Sequence, residues 1–127
     1  MCGIFGALGF NNSRVPNAEK SLEITKSLAH RGPDAINVFA QKEFSMGHSR
    51  LAIIDLNKGN QPMFSEDRRW VLSYNGEIYN FVSLKKDLKE RGLSFNTHSD
   101  TEVLLKGLIK FGFYFLNKVE GMFAFAL

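Results

Sequence analysis

Met1-Cys2-Gly3-Ile4-Phe5-Gly6 opens the chain, and the apolar run continues through Ala7 and Leu8 to Phe10. A segment this short and rich in glycine suits a buried strand better than a helix, so Cys2–Phe10 reads as the first strand. Outward from it, Asn17–Arg31 follows Pro16 and gathers Leu22, Ile24, Leu28 and Ala29 on one side, the pattern of a helix. That helix must stop at His30-Arg31-Gly32-Pro33-Asp34, because Gly-Pro forbids its continuation. Ile36–Gln41, Ser45–Asp55 and Trp70–Tyr74 read as strands. Phe81–Arg91 reads as a short amphipathic helix with Leu84 and Leu88 inward and Gly92 as its stop. Ser99-Asp100-Thr101-Glu102 carries the spacing of a capping box ahead of a helix whose buried stripe is Val103, Leu104, Leu108 and Ile109. Phe111–Phe115 reads as a packed helix face, and Met122–Leu127 as a continuous apolar strand. Because domain ends are usually polar, that last run predicts a domain cut short on its C-terminal side. Strands and helices in this alternation predict an α+β or α/β domain with mainly antiparallel pairing.

Composition narrows the class. The chain has 127 residues, enough for one domain, 1–127, and too few for a second full one. With 44% hydrophobic and 23% charged residues it can bury a core. The net charge of +3 is small and unclustered, which gives no support to a nucleic-acid or anionic-membrane partner. No apolar run approaches the roughly 20 residues of a membrane helix, and the start lacks the basic leader of a signal peptide. One cysteine can form neither an internal disulfide nor a structural zinc site, and His30, His48 and His98 show no metal-binding spacing. A cytoplasmic protein with no metal in this domain is the expectation.

The lone cysteine carries the chemistry. If Met1 is removed, Cys2 brings a thiol and a free α-amino group into one residue. With reference pKa values of about 8.5 and about 7.7–8.0, the amine can take the thiol's proton near neutral pH, directly or through a water. The competing reading is a small buried hydrophobe at a strand start.

The company Cys2 keeps favours the first reading. Cys2-Gly3-Ile4-Phe5-Gly6, His30-Arg31-Gly32-Pro33-Asp34, Arg50-Leu51-Ala52-Ile53-Ile54-Asp55, Asn75-Gly76-Glu77-Ile78-Tyr79-Asn80, Ser99-Asp100-Thr101-Glu102 and Glu120–Leu127 occur in that order. Together they closely resemble the glutaminase domain of the glutamine-hydrolysing asparagine synthetase family, within the class II glutamine amidotransferases. The resemblance implies a four-layer αββα N-terminal-nucleophile hydrolase sandwich of antiparallel sheets. It also implies hydrolysis of the side-chain amide of L-glutamine through a Cys2 thioester, with ammonia passed to a C-terminal synthetase domain.

Residue by residue, the resemblance implies Cys2 as nucleophile and Asn75 with the Gly76 N–H as the oxyanion donors. It implies Arg50 as the grip on the substrate α-carboxylate, helped by the backbone of Leu51, Ala52, Ile53 and Ile54, and Asp100 as the grip on the α-ammonium. Glu77 matches a further glutamine contact. Each has an alternative in the residues alone. Asn75-Gly76 is the best short-range signal for a type I′ hairpin, Arg50 could be an exposed strand arginine, and Asp100 could serve only the helix dipole.

No phosphate-cradling loop is found in the sequence, so no cofactor is expected here; ATP and magnesium are expected only in a synthetase domain. Two other functions stay open: a catalytically silent assembly or regulatory domain, and an amidotransferase feeding another acceptor. A homo-oligomer is also left open.

Overall fold

The computed structural model describes residues 1–11 and 13–127. Strand β1 (Gly3–Leu8) leads to helix α1 (Ala18–Lys26), then to β2 (Ala35–Ala40) and β3 (Phe44–Arg50). The short β4 (Met63–Phe64) and the long β5 (Val71–Ile78) precede helices α2 (Phe81–Glu90) and α3 (Asp100–Phe111). A 3-10 segment, Gly112–Lys118, and β6 (Gly121–Ala126) complete the order.

The strands form two antiparallel sheets, ordered β1-β3-β2 and β4-β5-β6. Strand alternation decides what each face meets. On β1 and β3, a Cβ at Gly3 or Gly47 would run into Leu28 and Thr25, so that face lies under α1 and its segment to Leu28. His48, on the opposite face of β3, reaches Ser73 of β5. The first sheet therefore has α1 outside and the second sheet inside, while α3 covers the far side of β5 and packs on α2. This is the four-layer αββα sandwich that the resemblance implied.

Several sequence expectations need correcting. The first helix ends at Lys26 and buries Ser21 and Thr25, whereas Leu22, Ile24 and Leu28 are only half-buried. Thr25 turns its hydroxyl back on Ser21 O at 2.7 Å, so this polar pair can face a sheet at little cost. The third strand stops at Arg50, and residues 51–60 form a loop. Asn75-Gly76 is no hairpin: both lie inside β5, paired with Ala124 and Phe123 of β6. Gly76 is small because β6 passes so close that a Cβ would strike Met122 O and Phe123. Ser99 caps α3 by accepting Thr101 N–H at 3.1 Å, yet the box does not close. The Glu102 carboxylate instead accepts the N–H groups of Asn96 and Thr97. Ile109 is exposed and Leu105 takes its place in the buried stripe. Of Phe111–Phe115, only Phe115 is buried. Met122–Leu127, read as a strand, falls in β6 as far as Ala126, and the neighbour of β6 among the described residues is β5.

The apolar core is concentrated between β5, α2, α3 and the 3-10 segment, in Leu72, Tyr74, Ile78, Leu84, Leu88, Val103, Leu104, Leu105, Leu108 and Phe115. Each such side chain contributes about 1.5–3 kcal/mol of burial. No described helix is long and apolar enough to cross a membrane.

Candidate active site

Cys2 stands just before β1, half-buried, beside the end of β3. Its Sγ accepts the Leu51 N–H at 3.3 Å, and its thiol lies 3.7 Å from Leu51 O. Its carbonyl accepts Arg31 Nε at 2.9 Å. Arg31 had no role in the sequence reading, and here it pins the backbone of the one cysteine. Met1 is 65% exposed.

The thiol opens onto a cavity of about 160 Å³. Its wall is shared by Cys2, Arg50, Leu51, Ile53, Ile54, Gly76, Glu77 and Asp100, eight of the ten residues singled out above. Ala52 and Asn75 are not on that wall. Ala52 gives its N–H to Asp34 Oδ2 at 2.8 Å. Asn75 follows strand alternation onto the same face as Ser73, the face turned to the first sheet, and its Oδ1 is buried without a hydrogen-bond partner.

Arg50 is 5% exposed. Its Nη1 donates to Leu56 O (3.0 Å) and Asn60 Oδ1 (3.2 Å), and its Nη2 to Ile54 O (3.2 Å) and Asp55 O (2.7 Å). The guanidinium thus serves as the hub around which loop 51–60 is wrapped. Gly59 makes room for it, since a Cβ there would lie 2.6 Å from Nη2. These four acceptors are neutral, and no carboxylate pairs with Arg50 among the described residues.

Asp100, also 5% exposed, is the mirror case. Its Oδ2 accepts the Tyr74 hydroxyl at 2.9 Å and the Ile78 N–H at 3.3 Å, and no cation pairs with it among the described residues. Tyr74 is buried, and that burial, reinforced by the neighbouring Asp100 charge, holds its phenol well above the usual 10. It is therefore a fixed neutral donor that orients the carboxylate. Tyr74 and Gln61 both line the cavity and neither was found from sequence. Gln61 accepts Tyr74 N–H at 2.7 Å and lies 3.4 Å from Thr101 Oγ1. The sequence placed Tyr74 only at the end of a strand, and it is also part of the buried core.

Buried charges are normally paired, because desolvation costs several kcal/mol per ion. One cavity that carries a buried cation and a buried anion, neither paired, is built to receive the opposite charges from a ligand. A thiol on the same wall can attack what that ligand extends toward it. Among the described residues no group of three or more His, Cys, Asp or Glu could hold a metal ion.

Comparison with known proteins fits this arrangement. The family described as "Glutamine amidotransferase domain" matches residues 1–127. The chain is similar to asparagine synthetase B [glutamine-hydrolyzing] of Escherichia coli, with 40% identity over 127 residues, all of this chain and 23% of the relative. Asparagine synthetase [glutamine-hydrolyzing] 2 of rice (Oryza sativa subsp. japonica) is 39% identical, again over all of this chain and 21% of its own length. The chain thus spans less than a quarter of the length of these curated relatives. Among solved structures, the glutamine phosphoribosylpyrophosphate amidotransferase of Bacillus subtilis, complexed with ADP and GMP, superposes with a TM-score of 0.77 at 23% identity. That match covers 96% of this chain and 34% of the other, and it carries the fold alone. With the family matched from its first residue to its last, the chain belongs to the glutamine amidotransferase domain family.

Proposed function

We propose that this domain hydrolyses the side-chain amide of L-glutamine through Cys2, and that the ammonia is used to amidate activated aspartate. The observation that carries the reading is the pair of unpaired buried charges, Arg50 and Asp100, on the wall that also holds the Cys2 thiol. Glutamine's α-carboxylate and α-ammonium meet those two charges, and its side-chain amide is turned to sulfur. Because four Arg50 donors are engaged by the loop, the guanidinium acts there chiefly through charge and its Nε–H, with the Leu51–Ile54 backbone completing the contact.

Once Met1 is removed, the Cys2 α-amine takes the thiol proton and the thiolate attacks the amide carbon. On this reading the tetrahedral oxyanion is met by the Gly76 N–H, and by the Asn75 side-chain amide only once that side chain turns from its place off the cavity wall. The carbon–nitrogen bond then breaks, the leaving nitrogen takes the proton held by the α-amine, and ammonia departs. Water attacks the thioester and yields glutamate, with the thiol restored. The Leu51 N–H on Sγ stabilises the thiolate, as a donor to a developing negative charge does.

The choice of aspartate as acceptor rests on the relatives named asparagine synthetase, and ATP and magnesium enter, on this reading, at a separate synthetase domain in a cytoplasmic ligase. The test joins an intact mass to an ammonia assay. Loss of Met1 and glutamine hydrolysis that disappears in Cys2→Ala are expected; normal hydrolysis by a protein with an uncleavable N-terminal extension would refute the amine mechanism.

A further inference from the structure

Loop 51–60 carries the Arg50 wall of the cavity, and the segment entering α3 carries the Asp100 wall. The two are far apart in sequence, and a head group with two charged ends can be read only if their separation is fixed. Gln61, one residue beyond the loop, approaches Thr101 at 3.4 Å, on the long side for a hydrogen bond. Between residues 51–60 and 94–101 themselves, one hydrogen bond is found among the described residues: His98 N–H to Asp55 Oδ2, at 2.7 Å.

Asp55 is bonded on every side. Its other carboxylate oxygen, Oδ1, accepts Lys58 N–H at 3.0 Å. Its carbonyl accepts Arg50 Nη2 at 2.7 Å and Gly59 N–H at 3.0 Å. Its backbone sits at φ 48°, the left-handed region that aspartate tolerates better than most residues because its short side chain can bond locally. Hydrogen bonds from His98 and Lys58 hold its carboxyl below the ordinary carboxylate range, so it is ionised at neutral pH. The acceptor faces the one backbone N–H that lies a residue before the Ser99 cap and two before Asp100. Asp55 is not on the cavity wall, so it touches no substrate; it acts through Arg50 on one side and the α3 entry on the other.

We propose that Asp55 is a positioning residue that ties the Arg50 wall to the Asp100 wall and thereby sets the spacing at which the head group of an α-amino acid is read. The inference rests on the glutamine reading above and deepens it. Its signature is selectivity. A ligand held at both ends feels the spacing, whereas one with a carboxylate and no amine does not.

Two ligands separate these cases in the intact protein carrying Cys2→Ala: L-glutamine, and glutaramate, which is glutamine without its α-amino group. Adding Asp55→Ala should weaken glutamine binding by calorimetry about tenfold and change glutaramate binding by less than about threefold. Asp55→Asn keeps an acceptor for Lys58 and turns a donor toward His98, so it should fall between. Parallel loss of both ligands would mean that Asp55 only supports the fold, and no loss of either would mean that the walls are held without it. Either outcome overturns the proposal. Failure of the glutamine reading is seen separately, as the absence of Cys2-dependent ammonia release in the unsubstituted protein.

Discussion

The two halves of the sandwich are stabilised by different means. The half built on β5, α2, α3 and the 3-10 segment holds ten of the buried apolar side chains, among them the fully buried Leu72, Ile78, Leu88 and Leu104. The half built on α1 and the first sheet buries Ser21, Thr25, Ser45, His48 and Ser49, with Met46 as its buried hydrophobe. One half is an oil-like core, and the other is a set of buried polar groups under a helix, most of them hydrogen-bonded but with Ser45 Oγ and His48 Nε2 left without a partner. The cavity lies where they meet, with Cys2 and Arg50 from the polar half and Tyr74 and Asp100 from the apolar one. A nucleophile and a buried charge are thus supplied by the side that already tolerates polar groups, while the apolar side holds the carboxylate through Tyr74 and Ile78.

If this division is real, substitutions should separate by half. The largest effect belongs to the apolar side: Leu104→Ala should cost about 3–4 kcal/mol in denaturant unfolding, by lost burial and the cavity left behind. A cost under about 1 kcal/mol would remove the contrast.

Next in size is a pH effect confined to the polar side. Ser73 spends its hydroxyl proton on Gly47 O, so His48 Nδ1–H is the donor between His48 and Ser73, and Nε2 is left as an unpartnered buried acceptor. Burial first, and the Arg50 charge second, lower its pKa from 6.5 to about 4. Between those values the unfolded chain binds the proton and the native state does not. Stability therefore rises with pH through this window and falls as pH drops from 6.5 to about 4, for a total near ~3 kcal/mol. Between pH 7 and pH 4 wild type should lose about 3 kcal/mol more stability than His48→Asn, as read from melting curves. A constant offset over that range would contradict the account.

The smallest effect is expected at Thr25→Ala, which removes one buried hydroxyl and its bond to Ser21 O, for about 1 kcal/mol. A loss as large as that of Leu104→Ala would show that the polar half is no less demanding than the core.

How much of this was readable in the sequence depended on whether a residue is marked by a local pattern, in either half. The strand at Cys2–Phe10, both later helices and the wall residues Cys2, Arg50, Gly76 and Asp100 were legible, because each is marked by a local pattern or a motif. The α1 face was misread because apolar periodicity looks for leucines, whereas the Thr25 and Ser21 hydroxyls each donate to a nearby backbone carbonyl, Ser21 O and Pro16 O. The hairpin reading of Asn75-Gly76 failed because a glycine needed for close approach of β6 looks, in sequence, like a glycine needed for a turn. Arg31, Tyr74, Gln61 and Asp55 were missed for one reason. Their partners, Cys2, Asp100, Thr101 and His98, lie 26 or more residues away, and no local spacing records such contacts.

The central claim is that two unpaired buried charges read the two ends of one amino acid. Steady-state ammonia release from L-glutamine by Arg50→Ala and Asp100→Ala tests it most directly. Each substitution leaves one end of the ligand buried against nothing, so each should lower kcat/KM at least about a hundredfold, a loss near 3 kcal/mol. Values within a few-fold of wild type for both variants, in proteins that still melt cooperatively, would contradict it.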